Sequence, residues 1–288
     1  MLVRGTRHVA SRVRKTLKRE YNALVLRGAE RLYSIRLVSG ENMATGAIRH
    51  GSSRPDNLFF PGVAVLILAT VFLGFARTYY LAGVFRAPLP NLLIHIHGAV
   101  FSLWILLLIA QTSLIASGRV EVHRRVGLFG FGLACLMVIL GLMAATDSLA
   151  RHFAPGESGV GVKAFYAVPS ADMLVFSTLI YFGFRNRFNS AAHKRLMLIA
   201  TITLLDAAFV RWPIPVAWWD IRVAQMCCYP LLLLLMCYDL WSTGRVHRAT
   251  LWASIFLIVL QQVRMPIGRT SLWQSFATWV QNLVCSFH

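Results

Sequence analysis

Charged residues are scarce in this sequence, and acidic residues are the scarcest of them. Only 14% of the 288 residues are charged and 11 are acidic, whereas 57% are apolar and the mean hydropathy is +0.61. A soluble domain of this length carries more charge and fewer long apolar runs. The composition therefore excludes an ordinary soluble protein and predicts one that crosses a membrane several times.

Motifs of several common protein classes are also missing. The chain contains no His-Glu-x-x-His, no glycine-rich phosphate loop and no Gly-x-Ser-x-Gly, and its five cysteines include no Cys-x-x-Cys pair. Familiar hydrolase and nucleotide mechanisms thus have no recognisable residues, and the sequence leaves open whether the protein is an enzyme. No nucleic-acid motif accompanies the net charge of +18, so anionic lipid headgroups are the expected partner.

Seven apolar runs predict an all-α bundle of about seven transmembrane helices, although the fifth and seventh runs are short. The runs cover residues 58–82, 91–115, 126–146, 164–184, 195–211, 223–242 and 249–265. They divide the chain into a basic arm at 1–57, a bundle at 58–265 and an interfacial amphipathic helix at 266–288.

The distribution of basic residues predicts the orientation of the bundle. Most of the 29 Lys and Arg residues lie in the arm and in the loops after the second, fourth and sixth runs. Positive loops stay in the cytoplasm, so we expect a bacterial inner-membrane protein with a cytoplasmic N-terminus. The mitochondrial inner membrane is the alternative, because the arm also has features of a presequence.

Three histidines stand beside basic residues at predicted helix starts on the cytoplasmic side. They are His123, His193 and His247. Imidazoles from neighbouring helices can bind one haem iron, and a basic rim suits haem propionates or a quinone headgroup. These three residues are the candidate cofactor ligands, and solvation of the membrane interface is the competing explanation.

A second polar layer is predicted nearer the outer face. Carboxylates inside apolar runs face the bundle and find partners, so His97, Asp172 and Asp206 form a candidate site for a divalent metal, a proton or a substrate. A structural hydrogen-bond network needs the same residues, and Asp206 with Arg211, or either aspartate with His97, is the expected pairing. The remaining polar residues of interest are His95, Gln111, Asp147 and Arg211.

Short motifs in residues 90–212 resemble a family of bacterial multi-span membrane proteins of unknown function. The matching residues are His97-Gly98, Gln111, His123-Arg124-Arg125-Val126-Gly127, His193-Lys194-Arg195-Leu196-Met197 and Arg211. A more distant likeness is to membrane haem proteins of the cytochrome b561 kind and to assembly factors of haem-copper oxidases. That likeness implies at most one haem b, because the histidine pairs expected on both sides of the membrane are missing.

These observations leave three functional hypotheses. The leading one is a membrane protein that binds haem, a metal or a quinone in electron transfer or its assembly. The second is a non-catalytic accessory subunit of a respiratory or other membrane complex, docked through the arm and the C-terminal helix. The third is a carrier or proton-coupled transporter that uses Asp172 and Asp206.

Overall fold

The computed structural model describes residues 54–88, 90–151, 159–213 and 221–285, and every regular element in these ranges is a helix. The predicted arm lies outside the described residues except for 54–57, which begin the first helix. The helices are α1 Arg54–Phe75, continued by a π-helical segment Ala76–Tyr80, then α2 Ala82–Phe85, α3 Leu92–Ala116, α4 Val120–Arg151, α5 Val160–Arg185, α6 Ser190–Ile202, α7 Asp206–Phe209, α8 Ile221–Met226, α9 Tyr229–Thr243, α10 Arg248–Gly268 and α11 Ser271–Cys285.

Among the described residues, six helical stretches are long and apolar enough to cross a membrane, so the protein is a multi-pass membrane protein with a helical bundle. They are Pro55–Tyr80, Leu92–Ala116, Val120–Arg151, Val160–Arg185, Ile221–Thr243 and Arg248–Gly268. The short seventh run of the sequence thus belongs to a full-length helix.

The fifth predicted run is not one continuous helix. Its residues form α6 and α7, which are separated by a turn at 203–205. The hydroxyls of Thr201 and Thr203 donate to the carbonyls of Met197 and Ile199, four residues earlier. Such back-bonding bends helices and weakens their regular ladder. The break ends just before Asp206, which is therefore held at the start of a new short helix.

The starts of α1, α4, α6 and α10 meet at one end of the bundle, here called the basic end. Lys194 lies 2.5 Å from Asp56, whose carboxylate also accepts from the hydroxyl of Tyr238 at 2.7 Å. The His123 and His193 rings are neighbours there, with centroids 6.3 Å apart. Asp239, which pairs with Arg195, also accepts from the His247 N–H, so the segments that carry the three His-basic motifs come together at this end.

The opposite end collects the end of α1, the start of α3, the end of α4 and the C-terminal helix α11. The Trp273 indole donates to the carbonyl of Lys163 at 2.8 Å, which ties α11 to α5. One side of α11 packs through the buried Ala277 and Gln281. Its other side exposes Leu272, Phe276, Trp279 and Leu283. This amphipathic pattern suits a helix at a membrane surface, as the sequence predicted; Phe287 lies beyond the described residues.

Two glycines allow the helices around the bundle centre to approach closely. A Cβ atom on Gly268 of α10 would lie 2.5 Å from the carbonyl oxygen of Ala164 in α5, and one on Gly74 of α1 would clash with the backbone carbonyl of Ala208 in α7. Small residues at such crossings let backbones pack in direct contact. They position α10 against α5 and α7 against α1, and α5, α7 and α10 carry the ionic centre described next.

Candidate functional site

A buried arginine joins two buried aspartates in the interior of the bundle. The two terminal nitrogens of the Arg264 guanidinium donate separately, Nη1 to Asp172 and Nη2 to Asp206. The side chains of Arg264, Asp172 and Asp206 are 1%, 11% and 2% exposed. Helices α5, α7 and α10 each supply one residue of this set, which we call the ionic triad.

Gln225 of α8 completes the hydrogen bonding of the guanidinium. When its amide is oriented by the surrounding donors and acceptors, the amide oxygen accepts from Arg264 Nε at 2.9 Å and from Nη2 at 2.5 Å. All three guanidinium nitrogens therefore have acceptors. A planar fork of donors suits this task, which a lysine could not perform in the same way.

The charges of the ionic triad do not cancel. One guanidinium faces two carboxylates, so the fully ionised triad carries one net negative charge within a bundle of apolar helices. The nearby Arg211 guanidinium, whose charge interacts with that of Asp206, offsets part of this excess, and the remainder is costly to bury. Uptake of one proton by the carboxylate pair removes that charge while leaving hydrogen-bond acceptors for Arg264.

Polar side chains continue from the triad along the buried face of α10. Thr250, Ser254, Gln261 and Arg264 recur at helical spacing, and all four are nearly inaccessible. Within the described part of the chain, Ser254 Oγ and both amide atoms of Gln261 are buried without hydrogen-bond partners. Buried polar atoms of this kind commonly bind internal water.

The row of buried polar side chains on α10, here called the polar stripe, begins at a second buried ion pair near the basic end. Arg195 donates to Asp239 Oδ1 from Nε at 2.9 Å and from Nη2 at 2.5 Å. Asp239 Oδ2 accepts from the Thr250 hydroxyl at 2.6 Å and from the His247 backbone N–H at 3.0 Å. Every partner is satisfied, so this pair fastens α6, α9 and the start of α10 together.

The three rim histidines separate into a pair and a single residue. His193 Nδ1 lies 2.9 Å from the Gly183 carbonyl and donates to it, which leaves Nε2 as an acceptor. Oriented by the Gly127 N–H, the Gln111 amide donates to His123 Nδ1 at 2.5 Å, so the proton of the neutral His123 ring is on Nε2. The pair therefore offers one donor and one acceptor nitrogen.

His247 lies apart from this pair and caps α10. Its Nδ1 accepts from the Ala249 N–H at 3.1 Å. Partial burial lowers the pKa of His247, and the nearby Arg195 guanidinium lowers this pKa further. The neutral ring is the form that can accept this bond, so the shift favours the cap.

The outer polar residues do not gather around one metal ion. His97 stacks on Phe101 with ring centroids 4.1 Å apart, and its Nδ1 is buried without a partner among the described residues. Over those residues, no group of three or more His, Cys, Asp or Glu side chains is placed to hold a metal. Asp172 and Asp206 do meet, as predicted, but on Arg264 and without His97.

Asp206 and Arg211 do not form the expected direct ion pair, although their charges interact through space. Arg211 donates to the Ala207 carbonyl and lies over the Phe75 ring, 4.9 Å from its centroid. The remaining candidates have local roles. Tyr79 donates to the His95 carbonyl at 3.1 Å, and Asp147 bridges Asn91 and Arg151 at 3.2 Å and 2.6 Å.

Sequence reasoning missed Arg264, which organises the centre. It stands at the end of the predicted run 249–265, where a basic residue is normally assigned to the membrane boundary. The polar stripe on α10 is the available signal, because Thr250, Ser254, Gln261 and Arg264 share one helical face.

Comparison with known proteins identifies no relative of this chain. No protein family, curated protein or solved structure matches the chain.

Proposed function

We propose that this protein translocates protons across its membrane as part of proton-coupled transport, with the ionic triad as the proton-binding centre. The observation that carries the proposal is the placement of two buried carboxylates on the single cation Arg264. An ionisable group inside a membrane bundle is costly and is by default a sign of function. A triad with one excess carboxylate can bind and release one proton without dismantling its hydrogen bonds.

The polar stripe on α10 supplies a route to this centre. Ser254 and Gln261 lie between the Arg195–Asp239 pair and the triad, and their buried polar atoms lack protein partners in the described chain. Because Ser254 and Gln261 are roughly 10 Å apart, at about 1.5 Å per helical residue, a chain of several water molecules past the buried Leu257 would have to connect the two ionic clusters. Protons can then pass between the basic end and the triad along α10.

Proton flux into liposomes tests the function. The purified protein is reconstituted with a pH-sensitive dye inside the vesicles, and a potassium diffusion potential drives proton entry. We expect Asp172→Asn and Asp206→Asn to lose the flux, because each amide retains much of the packing but cannot exchange the proton. Asp147→Asn is the control, since Asp147 lies outside the triad in a partly exposed pair with Arg151.

The outcomes separate transport from a purely structural role. Loss of flux in both Asn variants with normal flux in the control supports the proposal. Wild-type flux in the two variants, with intact protein in the vesicles, would make the triad a packing device and favour the accessory-subunit hypothesis.

His123 and His193, here called the rim pair, support a second candidate function, the binding of a redox cofactor. The His123 and His193 rings come from different helices, are 6.3 Å apart between centroids and are nearly perpendicular, at 82°. A donor nitrogen beside an acceptor nitrogen suits a quinone or quinol headgroup. For haem b, both Nε2 atoms must be unprotonated, so Gln111 would have to turn its oxygen toward His123.

An absorbance spectrum of the purified protein tests this second function. If the pair holds haem, the reduced protein shows haem bands, and either His123→Ala or His193→Ala removes them while His95→Ala retains them. A quinone is instead extracted with organic solvent and identified by its redox difference spectrum. If the purified protein shows no haem bands and yields no extractable quinone, the His123–His193 pair holds no resident cofactor.

We also propose that the basic end faces the cytoplasm of a bacterial inner membrane. Positively charged loops are retained on that side, and anionic headgroups attract them. The mitochondrial inner membrane remains the alternative location for the same physical reasons.

A further inference from the structure

A groove at the basic end runs between α5, α6 and α10 and is separate from the triad and the rim pair. Its volume is about 880 Å³, and residues from Thr178 to Asn189, from Ala192 to Leu196 and from Arg245 to Phe256 contribute to its lining. The groove is therefore large enough for a headgroup and part of an acyl chain. Its two ends differ in chemistry.

The mouth of the groove carries positive charge. Arg245 and Arg248 line it with exposed side chains, and neither forms an ion pair within the described residues. The nearest buried acid on this side, Asp239, is already used by Arg195, Thr250 and the His247 N–H. The mouth also includes the first turn of α10, where the helix dipole favours an anion, while the Ala249 N–H is bonded to His247 Nδ1.

The rest of the groove is apolar and reaches the outer surface of the bundle. Phe182 and Trp252 are 51% and 68% exposed, and Ala253 and Phe256 lie beside them. From Arg248 to Phe256 the wall extends roughly 12 Å, at about 1.5 Å per helical residue. Exposed aromatic side chains of a membrane helix face lipid, so an acyl chain can enter from the side.

We propose that this groove binds one anionic glycerophospholipid. The phosphate group lies between Arg245 and Arg248, and one acyl chain follows Phe182, Trp252 and Phe256 into the bundle. Guanidinium groups form strong charge-assisted hydrogen bonds to phosphate. The apolar wall of the groove is suited to an acyl chain that belongs to the same molecule as that phosphate group. The bound lipid fixes the start of α10, the helix that carries Arg264.

Native mass spectrometry of the full-length protein in mild detergent tests the site. The protein is titrated with phosphatidylglycerol, with phosphatidylcholine and with inorganic phosphate. We expect one phosphatidylglycerol to bind most tightly and the variant Arg245→Gln/Arg248→Gln to bind it about tenfold more weakly. Arg119→Gln/Arg124→Gln removes two exposed arginines at the same end and is the matched control, which should bind as the wild type does.

Fluorescence adds a readout for the acyl chain. Phosphatidylglycerol with brominated chains should quench part of the tryptophan emission, and Trp252→Phe should remove that part. If both double arginine variants weaken phosphatidylglycerol binding equally, the effect arises from general surface charge and not from this groove. Equal binding of phosphatidylcholine, equally tight binding of inorganic phosphate alone, or no tightly bound lipid in the full-length protein would each overturn the proposal.

Discussion

Replacement of Arg264 by glutamine should destabilise the bundle by about 3–5 kcal/mol, since removal of one partner leaves buried charge uncompensated. Asp172 and Asp206 would then face one another at 11% and 2% exposure without their cation. Thermal unfolding in detergent, followed by circular dichroism, measures the loss. The destabilisation should diminish at acidic pH, because protonated carboxyls do not repel.

A triple variant distinguishes charge from shape at the triad. Arg264→Gln combined with Asp172→Asn and Asp206→Asn removes every charge while retaining polar side chains, so most of the lost stability should return. If the triple variant is no more stable than Arg264→Gln alone, the guanidinium acts mainly by filling space. Such a result would contradict the electrostatic account of the centre.

Replacement of Asp239 by asparagine should have a similarly large effect at the basic end. Arg195 is 3% exposed and Asp239 is fully buried, so the variant leaves a buried guanidinium without its carboxylate. The acceptor for the Thr250 hydroxyl and the His247 N–H is weakened as well. We expect a loss of about 3–5 kcal/mol, measured by the same unfolding experiment.

Asp147→Asn provides the control for this prediction. The Arg151 and Asp147 side chains are 50% and 23% exposed, and pairs of this kind contribute at most about 1 kcal/mol. Comparable losses in Asp147→Asn and Asp239→Asn would show that burial does not set the strength of these pairs.

The helical fold was accessible from the sequence because apolar runs of membrane length have few alternatives. The break in the fifth run was not, since neither proline nor glycine marks it, and back-bonding like that of Thr201 and Thr203 also occurs at Thr112 and Thr146 within unbroken helices. Helix boundaries also differ from those predicted by the apolar runs. α10 extends to Gly268, past Arg264, which places this arginine inside a helix rather than at its end.

The candidate site was predicted in part. Depth inside apolar runs correctly identified Asp172 and Asp206 as inward-facing residues with partners. Their partner lies 58 residues beyond Asp206, and hydropathy patterns do not show which helices are neighbours. The indole of Trp104, seven residues after His97, donates to the buried Thr201 hydroxyl at 3.2 Å. Helical periodicity thus predicts faces, whereas packing decides which faces meet.

The proton in the ionic triad is the most direct test of this account. Infrared difference spectroscopy between acidic and alkaline pH detects the C=O stretch of a protonated carboxyl, which isotopic labelling of aspartate identifies. We predict one such band at neutral pH, lost or shifted in Asp172→Asn or Asp206→Asn and retained in Asp147→Asn. Fully ionised aspartates at neutral pH, with no protonated carboxyl in the wild type, would contradict a proton-binding centre.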